Sequence, residues 1–288
     1  MGKERAVMRL AVLMSGPRRY APLVLDRLRE KLPMDYAVLV HLWQMEDGAK
    51  ARDNYDFEVD ALRARPEVTY LVEEPGYQRS DFPEIVGESN SGSPPHNTMG
   101  MFLAIMHLCG VLRTQRESYT HVLRIRTDCL LHDWDLGPAA SGVNLVADNP
   151  GLPRAWICDH LWFGRMRDFL AVWDFGSREK LIAEYLRARR NPERLLGQRV
   201  RRTEVTVERQ FARWVHYSII YARPMALDSA CLQQAVRERS PESIFAHSEK
   251  WHDSAACWAH YRGFPVVPDH LTPWNRFKQW CVDRLRER

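Results

Sequence analysis

The sequence predicts an α/β fold with a mostly parallel central sheet flanked by helices and a helical C-terminal part. Three observations predict it. MRLAVLM, residues 8 to 14, is a short apolar run closed by SGP and followed by the helical pattern APLVLDRLREKL. The apolar run then recurs in DYAVLVHLW (35 to 43) and VTYLVEE (68 to 74). An apolar helix, MGMFLAIMHLCGVL, leads into a further strand, HVLRIRTD, and strands that alternate with helices imply parallel pairing.

The elements follow in order. Residues 75 to 96, PGYQRSDFPEIVGESNSGSPPH, form a polar segment longer than ordinary loops and read as a mobile functional loop. Asn97 or Thr98 is the expected cap of the apolar helix, and VNLVAD (143 to 148) is a fifth strand. RMRDFLAVW, SREKLIAEYLRARR and TEVTVERQFARWVHYSII have helical spacing, whereas residues 222 to 272 resist assignment. The expected organisation is one domain over residues 1–270 and a basic, aromatic helix over 271–288 carrying Trp274, Phe277 and Trp280.

A chain of 288 residues with 45% hydrophobic and 27% charged residues buries an ordinary core. The net charge of +4 conceals a local excess, because LRARRNPERLLGQRVRR (186 to 202) holds seven arginines against one glutamate. That run reads as a solvated helix face, an anionic membrane contact or a dock for an acidic acceptor. No recognition module surrounds it, so nucleic acid is not an expected partner. Six scattered cysteines without a CxxC pair suit reduced core thiols and a cytoplasmic location. The N-terminal apolar stretch is too short for a signal peptide or a spanning helix. With the C-terminal helix, the arginine run makes peripheral contact with the inner face of the plasma membrane an expectation.

HVLRIRTDCLL, residues 121 to 131, carries the chemistry. Arg124, Arg126 and Asp128 are two apart, which on a strand gives them one face. Unpaired charges inside a sheet cost several kcal/mol each, roughly, so these must pair or meet water or ligand. Arg124, the most interior, is expected in an internal ion pair. Arg126 and Asp128 lie at the strand's carboxyl end, where open parallel sheets bind ligands. A guanidinium there suits diphosphate oxygens, and a carboxylate suits a hard divalent cation.

AVLMSGPRRY, DYAVLVHLW, NTMGMFLAIMHLC, HVLRIRTDCLL and ICDHLWFGR occur in that order over roughly residues 8 to 175. In these pieces the sequence resembles the GT-A glycosyltransferases of the WavE-like lipopolysaccharide and capsule synthesis type. The resemblance implies a GT-A-like, Rossmann-type sheet and sugar transfer from a nucleotide sugar, with UDP as the expected nucleotide. The acceptor would be a glycan or lipid-linked saccharide in bacterial surface polysaccharide synthesis. It also implies a divalent cation, Mn2+ or Mg2+, held by an Asp-x-Asp motif. Here that motif is Arg126-Thr127-Asp128, so either Asp128 keeps a metal, with His270 in VVPDHLTPW as a second ligand, or Arg126 neutralises the diphosphate itself.

Further donor-binding candidates are Ser15, Gly16 and Arg18 after the first strand, and His41 at the end of the second. For His41 a hydrogen-bonded core imidazole is an equal alternative. Asp159 in ICDHLWFGR and Glu208 in TEVTVERQF are the candidate catalytic carboxylates, Glu208 ranking above Glu204 one helical turn earlier. No GxxxxGK[ST] or GxGxxG occurs, and the C-terminal histidines lack zinc-hydrolase spacing, so those classes drop out. The competing reading is a catalytically inactive GT-A-like protein that holds nucleotide or glycan.

Overall fold

Every residue of LAVLMS is buried, and a run that is apolar on both faces suits a central parallel strand rather than a solvated one. In the computed structural model the residues described are 8–44, 57–87, 94–115, 118–131, 134, 142–148, 152–212 and 216–219. The first run forms β1 (Leu10–Pro17), followed by α1 (Ala21–Lys31), β2 (Tyr36–Trp43), α2 (Val59–Arg63) and β3 (Val68–Glu74). Next come α3 (Pro95–Thr114), β4 (His121–Arg126), β5 (Cys129–Leu131), β6 (Asn144–Asp148) and β7 (Leu161–Arg165). The described chain continues with α4 (Met166–Trp173), α5 (Arg178–Arg187), α6 (Pro192–Thr203), β8 (Val207–Ala212) and β9 (Tyr217–Ile219).

Seven strands form one sheet in the order β3-β2-β1-β4-β7-β6-β8, and β5 pairs with β9 in a small second sheet. β7 alone runs antiparallel, to both β4 and β6, while the other neighbours in the large sheet pair parallel. The carboxyl ends of six strands therefore share one edge with the entry to β7.

Alternation along each strand divides the core in two. Leu10, Val12, Met14, Leu123 and Ile125 join α1 on one face. Ala11, Leu13, Leu39, Val122 and Trp162 join α3, α4, α5 and α6 on the other. By the same alternation Ser15, His41, Arg124 and Arg126 belong to the α3 face.

Several sequence expectations change. TEVTVERQF is not helical beyond Thr203: Glu204 ends α6 in the left-handed conformation at φ 55°, and Glu208 lies on β8, paired with Leu145 of β6. Pairing to a sheet edge overrides a weak helical pattern there. Asn97 and Thr98 lie inside α3, whose cap position is Pro94, because Pro95 is tolerated in a first turn where its missing N–H has no partner to lose. Within the expected loop of 75 to 96, Arg79–Asp81 form a 3-10 turn with reciprocal Gln78 and Asp81 capping. Among the described residues no helix is long and apolar enough to cross a membrane. Cys109, Cys129 and Cys158 are buried and outside any disulfide. Residues 220–288, including the expected C-terminal helix and His270, lie outside the described residues.

Candidate functional site

Parallel register brings three of the candidate residues abreast. Ser15 on β1 stands opposite His41 on β2 and Arg126 on β4, all at the edge where the strands end. Gly16 then brings the first loop against the RTD turn. A Cβ at Gly16 would meet the Thr127 hydroxyl at 2.5 Å, and the Tyr20 amide donates to the Thr127 carbonyl at 3.2 Å. SGPRRY and RTD therefore form one surface, and no larger residue fits at Gly16. The Ser15 hydroxyl is buried on that surface without a hydrogen-bond partner.

Asp128 is buried in the turn after β4 rather than on the strand, so the expected common face holds for Arg124 and Arg126 only. Its carboxylate accepts two bonds from Arg126, each 2.8 Å, and pairs with Arg19 as well. Arg19 reaches it from a left-handed backbone, φ 35°. Arg126 also lies 4.0 Å from Asp159, which is 3.8 Å from His160. Burial works against ionisation of Asp159, yet His160, Arg126 and Arg124 together hold its carboxyl below the usual range. His160 in turn shares a 3.1 Å hydrogen bond with Tyr217 of β9.

A residue that sequence reasoning missed completes this group. Glu193, in the first turn of α6, has a buried carboxyl oxygen, Oε2, with no hydrogen-bond partner. Burial and the neighbouring charge of Asp159 push it up to about 7. Two carboxyls thus share a site with their proton affinities driven apart, the pattern that separates acid and base roles. The only sequence signal was a lone glutamate among seven arginines.

Further along the same edge, His41 is buried and approaches Glu74 of β3 at 3.4 Å through Nε2. Desolvation lowers its pKa to about 4, so the imidazole is neutral at pH 7. The ring of His107 on α3 stands edge-on to it at 5.0 Å. Arg18 does not face a free crevice: it forms a two-point ion pair with Glu73, one bond measuring 2.8 Å.

The structure brings Ser15, Gly16, His41, Arg126, Asp128 and Asp159 to one edge and leaves Glu208 out. Glu208 is exposed on the edge strand, three strands from β4 and therefore roughly 14 Å away laterally. Among the described residues Arg124 forms no ion pair, contrary to expectation; it is fully buried, none of its guanidinium nitrogens has a hydrogen-bond partner, and it lies 5.1 Å from the Trp173 ring centre. The arginine run is not simply a solvated face either. Arg199 is buried, Arg202 pairs with Glu184, and Arg201 donates to the Ala155 carbonyl at 2.9 Å.

The residues at RTD do not fit a divalent cation. A metal-binding carboxylate needs lone pairs facing the ion, and those of Asp128 already receive two guanidinium groups. No known family model and no curated protein matches the chain.

Proposed function

We propose that the protein is a glycosyltransferase that takes its sugar from a nucleotide diphosphate donor, most simply a UDP-sugar. The reading gives it a GT-A-like domain and a glycan or lipid-linked acceptor from bacterial surface polysaccharide synthesis. The observation that carries it is Arg126, fixed by Asp128 at the carboxyl end of a central parallel strand beside the unpartnered Ser15 hydroxyl. Around that point the guanidinium groups of Arg19, Arg124 and Arg126 lie near the carboxyls of Asp128 and Asp159, and a guanidinium held at a strand end suits a diphosphate.

Breaking the sugar–phosphate bond develops negative charge on the departing nucleoside diphosphate, and a fixed guanidinium stabilises it without a metal. Arg126 would take the diphosphate, with Ser15 donating a hydrogen bond. Glu193, near neutrality in proton affinity, is a better candidate than Glu208 or the strongly ionised Asp159 to accept the acceptor's hydroxyl proton. Asp159 would hold Arg126 and sugar hydroxyls.

Calorimetric titration of UDP with and without Mn2+ tests this reading on wild type and Arg126→Ala. Binding that ignores metal and weakens at least tenfold in the variant is expected. No binding of UDP or any other nucleoside diphosphate, or binding indifferent to Arg126, would overturn it. Tight binding with neither transfer nor hydrolysis of UDP-sugars would favour the inactive binding protein, a reading that an Asp128 held by two arginines also permits.

A further inference from the structure

Strand alternation brings a different set of groups together one strand beyond Ser15. On β2 and β3, His41 and Glu74 extend toward the face that α3 covers, and His107 comes down from that helix. One ligand atom from each of these residues lies within 4.8 Å of the other two. The set is two imidazoles and a carboxylate drawn from three separate elements.

Two observations point to a ligand there rather than to a chance cluster. His41 is 1% exposed, yet Nδ1 has no hydrogen-bond partner and Nε2 has only the 3.4 Å approach to Glu74, which lacks hydrogen-bond geometry. Leaving both polar atoms of a buried ring unsatisfied is unfavourable, and a metal bond at Nε2 would relieve it. Independently, the Tyr70 phenol is 2.6 Å from Nε2 of His107. When the phenol accepts from Nε2–H, Nδ1 keeps its lone pair, which is how outer partners orient metal-bound imidazoles. Glu74 is also free of the arginine that occupies its neighbour Glu73, and Tyr77 donates to it at 3.4 Å.

We propose that His41, Glu74 and His107 bind one divalent transition metal of the zinc class, with a fourth position open. Imidazole and carboxylate donors in a two-to-one set suit Zn2+ or Co2+ better than Mg2+ or Ca2+, which prefer oxygen alone. The site lies two strands, roughly 10 Å, from Arg126, so it is separate from the place where the donor diphosphate is proposed. It does not depend on the transferase reading. Bound metal would tie β2 and β3 to α3 and so stabilise that end of the sheet.

The test is titration of Co2+ into the full metal-stripped chain, followed by visible d–d absorption, with Zn2+ as competitor. His107→Ala and Glu74→Gln are the variants, since His107 is exposed and Glu74 half-buried, and each should leave the fold intact by circular dichroism. One saturable Co2+ site, displaced by Zn2+ and weakened at least tenfold in each variant, is the expected result. His160→Ala should leave it unchanged, which separates it from the Cys158, Asp159 and His160 group. Absence of a saturable site in wild type, or affinity and spectrum unchanged in both variants, would overturn the proposal.

Discussion

Arg124 and Arg199 are both buried, and both stack on aromatic rings, 5.1 Å from Trp173 and 4.3 Å from Phe175. Their surroundings are otherwise opposite. Arg199 donates to the carbonyls of Val172 at 2.6 Å and of Ala171 and Asp174 at 2.7 Å, and it faces Glu184 at 3.4 Å. Two of those carbonyls belong to the last turn of α4, where helix acceptors lack partners, so the guanidinium closes the helix. Arg124 has only the face of Trp173 and the more distant field of Asp159, and desolvation lowers its pKa to about 10. The difference teaches that burial alone does not make a charge structural. What decides is whether the fold supplies acceptors.

The largest expected effect comes from breaking the satisfied arginine. Arg199→Leu would strip α4 of its closing donors and leave the buried Glu184 with Arg202 as its remaining guanidinium. Removing one partner from a buried pair costs about 3–5 kcal/mol. Equilibrium urea unfolding should show that loss as a lower midpoint with an unchanged slope. A loss below about 1 kcal/mol, within the range of many exposed pairs, would erase the distinction drawn between the two arginines.

The same contrast holds for the two carboxyls next to this run. Glu184 is buried but held by Arg199 and Arg202, which keep it ionised, whereas burial and Asp159 push Glu193 up to about 7. A folded-state value above the ordinary 4.5 means that the folded protein holds the proton more tightly than the unfolded chain does. Its contribution to stability is therefore present below about pH 4.5 and is lost as pH rises through about 7. That loss is of order ~3 kcal/mol at one pKa unit per ~1.4 kcal/mol. Glu193→Gln should remove this component, so the difference in unfolding free energy between variant and wild type should widen in the variant's favour across that window. A difference that stays flat with pH would show Glu193 ionised throughout.

These contrasts explain what was legible in the sequence. Apolar runs identified β1 and β2, a weaker run identified β3, none of whose residues is fully buried, and the placement of RTD at the end of β4 followed from them. β8 was misread because Val205 and Val207 sit within a pattern that also suits a helix, and its pairing with β6 is a long-range event. β7, LWFGR, lies within ICDHLWFGR, a stretch read for its charge and not as a strand. Asp159 was legible as an unusual charge in an apolar stretch, but Glu193 was masked by its neighbouring arginines. Glu74 and His107 could not be linked to His41, because a sheet neighbour and a covering helix bring them together only in three dimensions. Arg124 was read as paired since a buried cation ordinarily must be, and only the geometry revealed the shortage of acceptors.

The smallest expected effect sharpens the comparison most. Arg124→Met replaces a buried cation that makes no hydrogen bond with an apolar chain of similar reach, on the same face of β4 against Trp173. Exchanging buried charges for well-packed apolar groups is often neutral or stabilising by about 1–4 kcal/mol, so the urea midpoint should stay or rise. Arg124 is nevertheless one of three groups that favour ionised Asp159, after His160 and Arg126. The substitution should therefore raise the Asp159 pKa even while stability is kept, a shift readable by carboxyl-selective NMR titration. Retained stability with a raised Asp159 pKa would mean that Arg124 serves the field around Asp159 and not the packing of the sheet. A loss as large as that of Arg199→Leu would mean that Arg124 has an acceptor in solution and that the contrast between the two arginines is false.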